Sequence, residues 1–141
     1  MKKELIFETS YWEVYLMQDQ KYLGRSLILL KRDCGHLSEI SKEESDDFYK
    51  IVKKTEDLFK KTFNATMFNW TCLMNNAYKN NPPTPRVHWH LRPRHEDPVN
   101  VAGKTFSDPN FAHHYLRGEE NVEKISEEVL IQITEELKKS I

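Results

Sequence analysis

The chain has little cysteine, no long apolar run and almost no net charge, and each shortage removes a class of explanation. Only two cysteines, Cys34 and Cys72, occur in 141 residues. They cannot build the disulfide framework of a small secreted domain, so both are expected to be ordinary buried thiols in a reducing cytosol. The longest apolar stretch, Ser26–Leu30 with its neighbours, is far too short to cross a bilayer. The opening MKKELIFETSYWEV has two lysines, but Glu4 and Glu8 interrupt any hydrophobic region, and no signal peptide is expected. The formal net charge is −1, so no global field attracts nucleic acid or an anionic membrane. Repeats and low-complexity segments are missing as well. What remains is the profile of a globular protein, 38% hydrophobic and 30% charged, expected as one domain over residues 1–141.

The order of elements follows from local patterns. YWEVYLM (11–17) is aromatic and β-favouring, QDQKYLG is a turn-rich break, and RSLILLK (25–31) has the length and content of a buried strand; together they predict an antiparallel hairpin. Ser41 followed by Glu44 forms a capping box. After it Phe48, Ile51, Val52, Thr55, Leu58, Phe59 and Phe63 recur at helical spacing, which predicts a helix over about 42–62. ATMFNWTCLMNN (65–76) reads as a strand, AYKNNPPTP (77–85) as a loop, and RVHWHLR (86–92) as a strand stopped by Pro93. Residues 96–121 are polar with isolated aromatics, Phe106, Phe111 and Tyr115. A last helix starts at Ser126, with Glu127 and Glu128 in its first turn, Lys138 and Lys139 in its last, and Val129, Leu130, Ile133 and Leu137 as its apolar positions. The order β-β-α-β-β-α argues for an α+β fold, an antiparallel sheet with helices packed on it.

The strand at 86–92 carries the chemistry. Side chains alternate faces along a strand, so Val87, Trp89 and Leu91 make a core face while Arg86, His88, His90 and Arg92 share the other. Arg94 extends that parity beyond Pro93. A row of imidazoles and guanidiniums on one face suits an anion, phosphate above all. Metal binding is the rival: His88 and His90 form a His-x-His pair, with His95 or His113 and His114 as further ligands. Two arginines in the same row would repel a dication.

RVHWHLRPR resembles the signature strand of the histidine-triad (HIT) family of nucleotide hydrolases and transferases. Aligned on Pro93 and Arg94, Arg86, His88 and His90 occupy the three triad positions. GRSLILLKR (24–32), with His36 after it, is similar to another family strand, and Asn75 in LMNN precedes the middle histidine at the family's usual distance. The resemblance runs over roughly residues 10–95; residues 96–141, with FSDPNFAHHY and a helix, resemble an extension seen in some microbial members. It implies a five-stranded antiparallel sheet with two main helices, a homodimer, and a cytoplasmic enzyme. The substrate would be a dinucleoside polyphosphate such as a diadenosine polyphosphate, or a nucleoside phosphoramidate. His88 would attack the α-phosphorus and form a nucleotidyl-histidine that water then hydrolyses. His90 would contact the phosphate, with Arg86, Arg92, Asn75 and Thr84 binding substrate. No cofactor is implied, beyond a divalent cation that could accompany the substrate phosphates.

Three departures stand out. Arg86 replaces the first histidine, and a guanidinium cannot accept a hydrogen bond as imidazole can. NPPTP (81–85) replaces a Gly-Gln-Ser/Thr segment, leaving Thr84 as the nearest side-chain donor. Where some relatives place a ribose-side asparagine, this chain has only Gln18 or Asp19. A nucleotide-binding module without efficient chemistry is therefore the alternative. Lys31, Arg32 and His36 are further candidates for the pocket rim, and Trp12, Trp70 and the aromatic segment 11–16 for a dimer surface.

Overall fold

The histidine-bearing strand lies inside the sheet, flanked on both sides. The computed structural model describes residues 1–141. Strands β1 (Lys3–Glu8), β2 (Trp12–Met17) and β3 (Ser26–Leu30) form an antiparallel meander; β4 (Met67–Thr71) and β5 (His88–Arg94) complete a five-stranded sheet in the order β1-β2-β3-β5-β4. Register pairs Leu27 with His90 and Ser26 with Leu91 on one side of β5, and Thr71 with His90 and Asn69 with Arg92 on the other. Helix α1 (Lys42–Phe63) and helix α2 (Glu127–Lys138) are the two main helices, as the resemblance implied. Neither is long and apolar enough to cross a membrane.

Alternation decides what each strand buries. Trp12, Val14 and Leu16 of β2 and Ile28 and Leu30 of β3 are fully buried, with Val87 and Leu91 on the matching face of the histidine strand. Helix α1 covers this face with Ile51, Leu58, Phe59 and Phe63. Phe48 stacks on Trp89 at 5.0 Å and lies 5.1 Å from Trp12 and 5.8 Å from Trp70. Trp12 donates its indole N–H to the Glu44 carbonyl at 2.9 Å. It is a core residue, so it offers no surface to a second copy.

The start of α1 is held as its sequence predicts. The Ser41 hydroxyl accepts from Glu44 N–H at 3.1 Å, and the Glu44 carboxylate accepts from Ser41 N–H at 2.7 Å. Glu44 also takes a bidentate pair from Arg32, at 2.7 and 2.9 Å. Arg32 is thus engaged away from the histidines, and Lys31 likewise pairs with Glu8 at 2.7 Å. His36 caps a short 3-10 turn.

Strand β1 was not expected from the sequence. A bulge between Leu5 and Phe7 turns both Ile6 and Phe7 inward, which breaks the two-residue period. Pro93 does not stop β5, which runs through to Arg94. The β3 ladder ends at Ser26 opposite Leu91, so no neighbour on that side requires a Pro93 N–H. Gly24 sits over the proline ring with φ of 94°; a Cβ there would lie 2.8 Å from Pro93 and 2.7 Å from Phe59.

Residues beyond β5 fold back over the sheet. A hairpin of β6 (Val99–Val101) and β7 (Lys104–Phe106) leads to Asp108. There Arg94, fully buried, donates to both carboxylate oxygens at 2.7 and 2.9 Å, and also to the Asn69 side chain and the His113 and Asn110 carbonyls. Arg94 therefore anchors the returning chain and does not extend the row of ligand-facing cations.

Two stability measurements follow. Asp108→Ala leaves a buried guanidinium without its partner and should cost about 3–5 kcal/mol in urea unfolding; a loss under about 1 kcal/mol would contradict the geometry. The Arg32 guanidinium beside Glu44 holds its carboxyl down at about 2, against an ordinary 4.5. That stabilisation is complete above about 4.5 and disappears as pH falls toward 2. Glu44→Gln should therefore flatten the acid limb of a stability-versus-pH curve.

Candidate active site

The pleat of β5 sends His88, His90 and Arg92 away from the core into a cavity of about 190 Å³. Asn75, Asn76 and Ala77 from the turn after β4 line it, with Thr71 from the end of that strand. Arg25 enters from the start of β3. Tyr115 and Arg117 close it from the returning C-terminal segment. No carboxylate lines this cavity.

His88 is set as a nucleophile would need. Its Nδ1 lies 2.7 Å from the Arg86 carbonyl oxygen, which accepts the Nδ1 proton and leaves the lone pair on Nε2. The His90 ring stands edge-on at 5.1 Å, its Nδ1 buried without a hydrogen-bond partner. Burial first, then the neighbouring His88, Arg25 and Arg92, push the His90 pKa down from 6.5 to about 4. His90 is therefore neutral at physiological pH. Burial first, then the like charge of Arg25, also lowers Arg92 to about 10, which leaves it charged at neutral pH. Its guanidinium rests 4.0 Å from the centre of the Tyr115 ring. Arg25 pairs with Asp19 while its Nε, buried, finds no partner.

Not every residue expected here is present. Arg86 does not line the cavity: its side chain donates to the Leu30 carbonyl at 2.8 and 3.0 Å and to the Lys31 carbonyl at 2.7 Å, stitching the end of β3. Only its backbone oxygen serves the site. Thr84 is exposed and outside, because the Pro-rich segment is drawn toward residues 34–35, where Val87 N–H donates to the Cys34 carbonyl at 2.8 Å and Pro85 packs on Gly35. Asn75 lines the cavity with a side chain not spent on capping the following 3-10 turn. Gln18 is buried and donates to the Ile125 carbonyl, while Asp19 lines an adjoining cavity.

The metal set suggested by the histidines does not assemble. The His95 ring is buried and meets the Leu23 carbonyl at 3.0 Å, and His113 and His114 line a separate groove along β4. No three His, Cys, Asp or Glu side chains are grouped to hold a metal ion.

Arg25, Tyr115 and Arg117 were the residues missed. Register offers a signal for the first: Ser26 opposite Leu91 places Arg25 opposite Arg92. Nothing local marks the other two, since a tertiary clamp some twenty residues away places them.

A model of the HIT domain matches residues 1–97. The chain belongs to the HIT family. Its fold is similar to that of a histidine-triad protein from Sinorhizobium meliloti 1021, with a TM-score of 0.74 at 17% identity over 99% of this chain and 90% of that one. A histidine-triad protein from Marinobacter aquaeolei VT8 gives 0.73 at 15% identity, over 98% and 88%. Diadenosine triphosphate hydrolase from Plasmodium falciparum gives 0.55 at 18%, over 69% and 65%. None of the curated proteins compared matches the sequence.

The electrostatics can be read by ring-resolved NMR. In the ligand-free HIT protein His90 should stay neutral until about pH 4. Because the unfolded chain takes up that proton near 6.5, folding stability should decline as pH falls from about 6.5 to about 4. A His90 titration midpoint near 6.5 would show that the ring is solvated.

Proposed function

We propose that this HIT protein is a nucleotide hydrolase or nucleotidyl transferase that works through His88. The observation that carries this reading is the bond from His88 Nδ1 to the Arg86 carbonyl, which aims a free Nε2 lone pair into a cavity lined by Arg25, Arg92 and Arg117. The Nε2 lone pair forms a bond to the α-phosphorus while the bond from phosphorus to the leaving atom breaks, and that atom keeps the electron pair. Water then attacks the same phosphorus, the N–P bond breaks, the pair returns to Nε2, and the water's proton passes to solvent. Splitting one displacement into two lowers each barrier. The arginines stabilise the phosphoryl oxygens as charge moves onto them. His90 lines the same cavity and donates a hydrogen bond to a phosphoryl oxygen. A leaving group that departs as an anion needs no proton, which fits a phosphoanhydride such as that of a dinucleoside polyphosphate.

Family membership and the likeness to a diadenosine triphosphate hydrolase support the nucleotide assignment. The displacement of Thr84 from the cavity favours one second reading, a module that binds nucleotide without turning it over. Incubation with diadenosine polyphosphates followed by a rapid quench and mass spectrometry separates the two. The enzyme reading expects one nucleotidyl group on His88, stable to base and labile to acid. His88→Ala should remove the adduct and lower turnover by about 10³-fold or more. Binding of AMP by calorimetry with neither adduct nor product leaves the binding module.

A further inference from the structure

A second cavity, of about 460 Å³, opens directly beside the first. The two share one wall, made of Arg25, Asn76, Arg92 and Arg117. Beyond that wall the second cavity adds Lys21 and Lys79. It therefore holds five permanent cations facing two carboxylates, Asp19 and Glu119. Asp19 is already committed: it pairs with Arg25 and accepts from the backbone N–H groups of Lys21 at 3.1 Å and Glu123 at 3.0 Å. Lys21, Lys79, Arg92 and Arg117 make no ion pair with any carboxylate.

Four unpaired cations around one continuous concave surface exceed what a single phosphate monoester can neutralise, since it carries less than two negative charges at neutral pH. The surface is also a built one. The Tyr22 hydroxyl donates to the Asn110 side chain at 2.7 Å and accepts from Leu116 N–H at 2.7 Å, fixing the segment that bears Arg117. Convergent cations that outnumber the carboxylates of a concave site are the arrangement that binds extended anions.

We infer that the second cavity is an anion subsite for a phosphoryl group other than the one His88 attacks, held by Lys21, Lys79 and Arg117. The inference rests on the proposed reading of the first cavity as the place of the attacked phosphoryl group. The second phosphoryl group belongs either to the chain continuing past the attacked phosphorus or to the sugar of the nucleotide.

Calorimetry tests it with AMP, ADP, adenosine 3′,5′-bisphosphate, pyrophosphate and inorganic phosphate, on the natural chain and on the Lys21→Gln/Lys79→Gln double variant. The natural chain should bind a two-phosphate ligand about tenfold or more tighter than its one-phosphate counterpart. The double variant should lose that advantage while keeping its melting temperature and its AMP affinity within about twofold. A gain for ADP and pyrophosphate assigns the subsite to the phosphate chain; a gain for the bisphosphate alone assigns it to the sugar. Equal binding of one- and two-phosphate ligands, an equal loss for both in the double variant, or no binding at all overturns the subsite. The His88 adduct is read separately: an adduct without the two-phosphate advantage sinks the subsite alone, and the advantage without an adduct sinks the catalytic reading alone.

Discussion

The organisation of this molecule depends on the pleat of one interior strand. Val87, Trp89 and Leu91 are pinned on the core side by α1 and the aromatic cluster around Phe48, so the alternate residues His88, His90 and Arg92 must face the other way. A single-residue slip of β5 would bury two imidazoles and a guanidinium and expose a tryptophan and two aliphatic side chains. Neighbours on both sides, β3 and β4, prevent it. The cavity-facing imidazoles and guanidinium thus owe their direction to hydrophobic burial on the far side of the sheet, and need no special geometry of their own.

Backbone and side chain divide the work at the first triad position. Arg86 holds the end of β3 with its guanidinium and orients His88 with its carbonyl. A carbonyl is available whatever the side chain, so the orienting bond survives replacement of histidine by arginine. The departure that looked most damaging in the sequence leaves the His88 tautomer untouched. What it removes is a third imidazole, and the cavity carries Arg25 and Arg117 as cations of other origin.

Legibility followed the range of the interactions involved. The capping box at Ser41 and Glu44, the stripe of α1, the hairpin of β2 and β3, and the helix after Ser126 depend on neighbours within a few residues, and all were readable. So was the alternation that brings His88, His90 and Arg92 together. β1 was hidden because its bulge spoils the period, and the passage of β5 through Pro93 because it requires knowing where β3 ends. Arg94 looked like one more member of the cationic row until a carboxylate fourteen residues downstream claimed it. Arg117 and Tyr115 were out of reach for the same reason: their position depends on long-range contacts, that pair and the bonds to the Tyr22 hydroxyl.

The tie between Arg94 and Asp108 also joins two parts of one chain. The sheet and its imidazoles lie within residues 1–97, whereas the wall facing them is a loop moored at the buried Arg94–Asp108 pair, at the Tyr22 hydroxyl and at Asp19. Loops moored this way tolerate exchange of their tips while the mooring stands. Substitutions near 115–122 can then reshape the cavity, with the histidine-bearing strand left as it was. The two halves of the pocket can thus be varied separately.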